Sequence, residues 1–279
     1  MILVTGATGN IGSALLRQLH RQNAGPVRGL TRDARRASFP DGVEVVEGDL
    51  AQADSLKDAL DGASSLFLLP GTGAEADVLE AARHAGAEHV VLVSSITVET
   101  HPHLPAAREN LAVERLLEHS GMAWTILRPT QFASNTLWWA PSIREQGVVR
   151  APYVDIGLPT VHPADIAAVA RTALTEPGHR GRTYALTGPE RITVRRQVAA
   201  ISDALGRDIS LVEISRQEAH RQMASFMGDE TAHAVLDLLG GDVNEELLKV
   251  RDTVARVTGS PASPFRQWAQ ENMAAFDAG

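Results

Sequence analysis

The sequence predicts an α/β fold: a doubly wound parallel sheet followed by a smaller, mostly helical C-terminal lobe. Two observations predict it. Short apolar runs alternate with helical patterns through the first half of the chain, the rhythm of parallel strands joined by crossover helices. The runs are continuous in apolar character, as strands covered on both faces are. In order, the strand candidates are residues 2–4, 27–30, 43–46, 65–69, 89–93 and 124–127. Pro70-Gly71, Ser94-Ser95 and Arg128-Pro129 end the last three. Between them, Ile11, Leu15 and Leu19 recur at helical spacing. So do residues 56–60, then Val78, Leu79 and Ala82, then Val113, Leu116 and Leu117.

After about residue 130 the rhythm breaks. Pro141, Gly147, Pro152, Gly157 and Pro159 punctuate a stretch read as irregular. Ile166, Val169, Ala170, Ala173 and Leu174 mark an amphipathic helix, and residues 184–186 a strand. Thr193 is placed as the N-cap of a helix carrying Val194, Val198, Ile201 and Leu205. Residues 209–214 form a last strand candidate, and the remainder reads as helical with breaks at Gly240-Gly241 and Ser263-Pro264.

Composition narrows the function. The 279 residues carry a net charge of −8, which forces no basic face, so no nucleic-acid partner is expected. Cysteine is absent, which removes disulfides, thiolate nucleophiles, iron–sulfur clusters and cysteine zinc sites. No targeting segment is expected, because Met1-Ile2-Leu3-Val4 runs at once into Thr5-Gly6. No apolar stretch approaches the roughly 18 residues of a membrane span. A cytoplasmic protein acting on a small molecule, monomeric or homodimeric, is the resulting expectation. Lysine occurs only at Lys57 and Lys249, and tyrosine only at Tyr153 and Tyr184.

The informative motif is Thr5-Gly6-Ala7-Thr8-Gly9-Asn10-Ile11-Gly12, between the first strand and the first helix. Gly6 permits the turn, Gly9 lets a pyrophosphate approach the backbone, and Gly12 lets the helix pack close. The phosphates would meet free N–H groups at the helix N-terminus. This context identifies a Rossmann dinucleotide site. An NAD site usually holds the ribose with an acidic residue after the second strand. Here that strand ends in Thr31-Arg32, with Asp33 one step further. Arg32 can grip a 2′-phosphate, so NADP(H) is the expected cofactor. Arg35 and Arg36 are assigned to a solvated helix face. Asp49, in Gly48-Asp49-Leu50, can accept from the adenine amino group or cap the following segment.

With these residues, Ser94-Ser95 and the segment Ser120-Gly121-Met122-Ala123-Trp124-Thr125-Ile126-Leu127-Arg128-Pro129, the chain resembles the atypical short-chain dehydrogenases. Within them it is similar to the NmrA-like branch, which contains NAD(P)H-dependent quinone and azo reductases and redox-sensing regulators. Val161-His162-Pro163-Ala164-Asp165-Ile166-Ala167 and Leu186-Thr187-Gly188-Pro189-Glu190 carry the same likeness. The resemblance implies an NAD(P)-binding core over residues 1–130 and a substrate-pocket lobe over 131–279, with a return to the core near 160–190. It implies a cofactor lying along Gly6, Thr8, Gly9, Asn10, Ile11, Gly12, Arg32, Asp49, Leu50, Leu69, Pro70, Ser94 and Pro129.

Standard short-chain dehydrogenases use a Tyr-x-x-x-Lys pair, in which lysine lowers the tyrosine pKa for proton transfer. By its spacing to Glu114 the pair would fall at Ala106 and Asn110, so it is missing, and no lysine lies four residues after either tyrosine. The NmrA-like branch shares this gap. A quinone, azo or iminium acceptor needs less proton help than a ketone, because the electrons enter a conjugated system. Positioning then carries the reaction, and no catalytic residue is assigned. Gln131, Phe132, Trp138, Trp139 and Tyr153 form a local enrichment in a chain only 4% aromatic, which suits a flat, apolar, aromatic substrate. The tryptophan pair suits core or dimer packing equally. From loop position, His101 or His103 is added as a proton source, with His101 placed on the substrate side. His101-Pro102-His103 lacks a third ligand, so no metal site is expected. Asp165 is read as structural, Glu114 and Arg115 as solvated, and Asn110 as a surface residue. Ser94 is expected against the cofactor. An NADPH-dependent oxidoreductase is the primary reading. A non-catalytic NADP sensor and an isomerase or coupling enzyme of aromatic natural-product synthesis are the alternatives.

Overall fold

A computed structural model describes residues 1–277. The chain runs β1 (Ile2–Val4), α1 (Asn10–Arg21), β2 (Val27–Thr31), β3 (Glu44–Glu47), α2 (Lys57–Leu60), β4 (Ser65–Leu68), α3 (Glu75–His84), β5 (His89–Val93), α4 (Thr97–Thr100), α5 (Pro105–Glu118) and β6 (Ala123–Pro129). It continues with α6 (Ala140–Gln146), β7 (Val148–Ala151), β8 (Gly157–Leu158), α7 (Pro163–Thr175), β9 (Arg182–Leu186), β10 (Ile192–Thr193) and α8 (Val194–Leu205). Last come β11 (Ser210–Glu213), α9 (Arg216–Met227), α10 (Asp229–Leu236), α11 (Glu245–Leu248), α12 (Thr253–Thr258) and α13 (Phe265–Glu271). Two compact units result. The first comprises Met1–Pro129, Pro163–Leu186 and Thr253–Pro261, and the second comprises Thr130–His162, Thr187–Asp252 and Ala262–Gly279. No helix among the described residues is long and apolar enough to cross a membrane.

The first unit is a seven-stranded parallel sheet of order β3-β2-β1-β4-β5-β6-β9. Its central strands are buried along their length, which explains their unbroken apolar sequence. β3 lies at the edge and is mostly exposed, with Glu44 and Glu47 at its ends, the charged edge that discourages further strand pairing. Arg28, in the buried β2, is neutralised by Glu44 at 3.0 Å and donates to the carbonyls of Asp58, Ala59 and Asp61. Helix α1 buries Ile11, Leu15, Leu16 and Leu19 and packs on α7, whose Ala167, Ala170 and Ala173 permit close approach. Gln18 ties the pair by donating to the Ala164 carbonyl at 2.9 Å.

One buried polar group gives this unit a pH response. His89 is 3% exposed, with Nε2 3.0 Å from Thr125 Oγ1. Burial, then the nearby Arg180 and His179 charges, push its imidazole down from 6.5 to about 4. The unfolded chain therefore takes up a proton near 6.5 while the folded chain resists until about 4. Stability is full above that window and falls as pH drops through it, by about 2 kcal/mol from this group. Urea midpoints measured from neutral pH downward should fall, and His89→Gln should flatten the slope. An unchanged slope would remove His89 as the cause.

The second unit contains α6, α8 to α11 and α13 with two short two-stranded sheets, β7-β11 parallel and β8-β10 antiparallel. Its core joins Ile143, Val149, Val154 and Ile201 to Phe265, Trp268 and Phe276. Thr193 caps α8 by accepting from Arg196 N at 3.2 Å. The stretch read as irregular after residue 130 is more ordered than its prolines and glycines suggested. It holds a 3-10 helix over Ala133–Trp139, then α6, β7 and β8. Two- and four-residue strands are too short to show a period against that punctuation.

Candidate functional site

The sheet of the first unit is wholly parallel, so the residues that follow its strands share one edge. Thr5-Gly6 follows β1, Arg32 follows β2, Gly48-Asp49-Leu50 follows β3, Leu69-Pro70 follows β4, and Ser94 follows β5. Pro129 ends β6. Strand order reverses between β1 and β4, the switch point where open α/β sheets take ligands. All of the cofactor positions expected from the sequence lie at this edge or, for Asn10, Ile11 and Gly12, in the first turn of α1. Thr5, which the sequence reading did not single out, stitches the switch point. Its N–H donates to Phe67 O at 3.1 Å and its Oγ1 accepts from Leu69 N at 2.9 Å.

The glycine turn is fitted to an anionic ligand. Gly6 sits at φ +57, a left-handed conformation that favours glycine. A Cβ at Gly9 would meet only the Gly6 carbonyl oxygen, at 3.2 Å, among atoms within 4 Å, so nothing else crowds this face of the loop. Helix α1 has no side-chain cap and no acidic residue in its first turn. Its orphan N–H groups and positive dipole end are left for phosphate. The residues present therefore fit a dinucleotide.

The polar residues around the turn have distinct partners. Asp33 accepts from Arg35 N at 3.0 Å and from Arg35 Nε at 3.4 Å, so the carboxylate that could have served a ribose caps the turn after β2. Arg32 is exposed and makes no ion pair among the described residues. Arg35 and Arg36 are exposed, as expected. Asp49 Oδ1 accepts from Ala51 N at 3.0 Å, a capping role compatible with the adenine contact expected of the same carboxylate. Replacing Arg32 with alanine should weaken NADPH binding by roughly tenfold, by loss of a charge-assisted contact, and leave NADH binding unchanged. Fluorescence titration of both cofactors measures this, and equal losses would remove Arg32 from 2′-phosphate selection.

Glu114 corrects the sequence expectation. It is 1% exposed, not solvated. Ser94 Oγ donates to Glu114 Oε1 at 2.5 Å, Arg128 Nε donates to the same oxygen at 2.9 Å, and Arg128 also pairs with Oε2. A second carboxylate, Glu99, takes Arg128 at 2.7 Å. The Glu114 hydrogen bond, reinforced by Glu99, raises the Arg128 guanidinium above its usual range. Ser94 thus spends its proton on Glu114, which leaves its oxygen lone pairs as its remaining polar capacity. Asn110 is at the surface and donates to the Ala106 carbonyl at 2.8 Å.

The second unit holds a pocket of ≈ 190 Å³. Gln131, Phe132, Trp138 and Trp139 line it, as the sequence suggested, together with Met223, Leu238 and Leu239. Two expected residues do not. Tyr153 is in the left-handed region at φ +54, its ring packs where a Gly240 side chain would sit, and its hydroxyl accepts from Arg216 at 3.2 Å. His101 belongs to the first unit, is fully buried, and holds Thr100 Oγ1 at 2.8 Å through Nδ1. Sequence reasoning missed Arg150, the single charged residue among the described residues lining this pocket. Its signal was a lone arginine inside the β7 run Val148–Ala151.

A glycine turn at the switch point of a parallel sheet, opening onto an uncapped helix, defines a dinucleotide-binding protein. Residues 6–177 match the family described as NAD(P)H-binding. A protein of Streptomyces griseus named (4-alkanoyl-5-oxo-2,5-dihydrofuran-3-yl)methyl phosphate reductase is 41% identical, over 99% of each chain. The NAD(P)H azoreductase of Xenophilus azovorans is 35% identical over 100% of each. Among solved structures, the NADPH complex of an Escherichia coli quinone oxidoreductase superposes with a TM-score of 0.81 at 25% identity, covering 97% of this chain and 99% of that one. The chain belongs to the NAD(P)H-binding family, in the NmrA-like branch of the atypical short-chain dehydrogenases.

Proposed function

We propose that the protein is an NADPH-dependent reductase of a flat, conjugated, electron-poor small molecule that carries an anionic group. The pocket of the second unit carries the reading. Its wall is mostly aromatic and aliphatic, with Phe132, Trp139, Met223 and Leu238 beside a few neutral polar groups, and Arg150 is its one charge among the described residues. Arg150 donates to Gln146 Oε1 at 3.0 Å and has no carboxylate partner among the described residues. Arg150 is solvent-exposed where it lines the pocket, and a lining cation without a carboxylate partner supports an anionic ligand through a charge-assisted hydrogen bond. The relatives' named substrates include a conjugated furanone phosphate and azo compounds, and an electron-poor double bond is common to them.

Bound at the first unit, NADPH would supply a hydride. This chain's residues would do the rest by placement. Arg32 would select the phosphorylated ribose, the aromatic wall would hold a planar acceptor and exclude water, and Arg150 would fix the acceptor's orientation. No Tyr-x-x-x-Lys pair stands ready to protonate an oxyanion, since Ala106 and Asn110 occupy those positions. A conjugated acceptor spreads the incoming charge, so solvent can complete the protonation. The reading keeps the protein in the cytoplasm, as a monomer or homodimer. The sensor alternative is not favoured, because the pocket is open to a ligand.

NADPH oxidation should be measured against quinones, azo compounds and conjugated lactones, each with and without a phosphate or carboxylate. Arg150→Met should raise KM for the anionic members by about tenfold or more, the equivalent of a lost charged hydrogen bond, and leave the neutral members unchanged. Equal effects on both sets would remove the anionic requirement. No turnover with any of them would remove the reductase assignment.

A further inference from the structure

We propose that His220, Asp229 and His233 form a binding site for a divalent transition metal, zinc in the first instance, on the α9–α10 hairpin of the second unit. His220 lies on α9, while Asp229 and His233 lie one turn apart on α10, across the Gly228 break. One candidate ligand atom from each lies within 4.8 Å of the others. His220 Nε2 is 3.1 Å from Asp229 Oδ1, and His233 Nε2 is 3.8 Å from Asp229 Oδ2. The two imidazoles stack at 4.0 Å between centroids, 29° from coplanar, so their Nε2 atoms serve one carboxylate. Metal–ligand bonds of about 2.0–2.2 Å in tetrahedral geometry separate neighbouring ligand atoms by about 3.3–3.6 Å. The two histidine–carboxylate separations, each to its own Asp229 oxygen, lie on either side of that value, and all three candidate atoms fall within 4.8 Å of one another, so side-chain rotation closes them on a cation.

A second observation points the same way. His220 Nε2 is buried and makes no aligned hydrogen bond, although Asp229 is at ion-pair distance. A buried ring nitrogen without a well-directed partner is costly. A metal in the space between the three groups would occupy that lone pair. Two imidazoles and a single carboxylate favour zinc, nickel, copper or iron(II) over magnesium or calcium, which prefer all-oxygen sets. Asp229 and His233 are 78% and 54% exposed, so an ion has an entry path and room for water as further ligands. None of the three residues lines the pocket or belongs to the sheet edge, and the effect of the metal on KM rests on the proposed reductase reading.

Its consequence would be mechanical. Met223 lies one turn after His220 on α9, and Val235 two residues after His233 on α10, and both line the pocket. Leu238 and Leu239 follow α10 and line it too. A cation clipping α9 to α10 would hold this wall in one arrangement and tighten the pocket for its ligand without touching the reacting atoms.

The test uses the full chain, stripped with a chelator and titrated with Zn²⁺ and with Co²⁺ as a spectroscopic reporter. Wild type should take up one equivalent with low-micromolar affinity. It should gain the visible bands of Co²⁺ in a nitrogen–oxygen site and melt at higher temperature with the metal. His233→Ala and Asp229→Ala, both at exposed positions that leave the fold intact, should each lose at least about tenfold in affinity and all of the melting shift. Zn²⁺ should lower the KM of wild type severalfold and leave that of the variants unchanged. Absence of saturable one-equivalent uptake, or uptake retained in both variants, would overturn the site. NADPH binding, read separately, reports on the other assignment.

Discussion

Replacing Gly12 with alanine is expected to abolish useful NADPH binding. A Cβ there would lie 2.7 Å from the Gly6 carbonyl carbon and 2.9 Å from Ala7 Cα, and closer still to the Gly6 oxygen. Real Cβ atoms do not come so near, and the obstacle is backbone, which cannot swing aside as a side chain would. Relief requires the turn to move off α1. That separates the Gly6–Gly9 peptide groups from the helix N-terminus on which a pyrophosphate would rest. The same turn is braced by Gly9 N donating to Gly6 O at 2.9 Å and by Thr5 across the switch point, so it has little freedom to adapt. Titration should show an affinity loss of at least about 100-fold, equivalent to about 2.7 kcal/mol. The second unit's pocket ligand, tested separately, should be spared. Near-wild-type NADPH affinity would mean that the phosphates do not use this turn.

Glu114→Ala is expected to be the most destabilising single polar substitution in the first unit. The carboxylate is fully enclosed, accepts from Ser94 and is paired to Arg128 through both oxygens. Removing it takes both Glu114 hydrogen bonds from a guanidinium whose side chain is only 17% exposed, leaving Glu99 as its one carboxylate, and leaves the Ser94 hydroxyl without its acceptor. Breaking a buried pair in this way costs about 3–5 kcal/mol, or a fall in Tm of about 10 °C for a chain of this size. Glu114→Gln keeps an acceptor for Ser94 and should recover part of the loss. Glu99→Ala removes the more exposed partner of Arg128 and should cost under about 1 kcal/mol. Denaturation of the three variants side by side checks the order. If the alanine at 114 costs no more than the alanine at 99, the pair does not hold the ends of β5 and β6 together.

The parts of this molecule that could be read from sequence share a physical feature: they are local. Buried parallel strands leave continuous apolar runs, and the glycine turn is a single eight-residue segment whose spacing is dictated by one close helix–strand approach. Arg32 and Thr193 follow from position beside a strand or helix end. What stayed hidden depends on distant partners. Glu114 looks solvated on a helical wheel, and only its contact with Arg128 and Ser94 explains its burial. Tyr153 looked like pocket wall, yet its left-handed backbone and its bond to Arg216 turn it elsewhere. His101, expected as a proton source, is buried against Thr100. Strands β8 and β10 are two residues each and exist through pairing rather than propensity. His220 and His233 come together because α9 and α10 fold back at Gly228, which no ligand spacing in the sequence announces.

The central claim is that this chain passes a hydride from NADPH to a conjugated acceptor without a tyrosine–lysine pair. It is tested most directly with NADPH carrying deuterium at the transferable C4 position and a phosphorylated conjugated lactone as acceptor. The account predicts one deuterium in the carbon skeleton of the reduced product, from one face of the nicotinamide only, with the second hydrogen coming from solvent. Product lacking deuterium, or cofactor that binds tightly and is never oxidised, would contradict it.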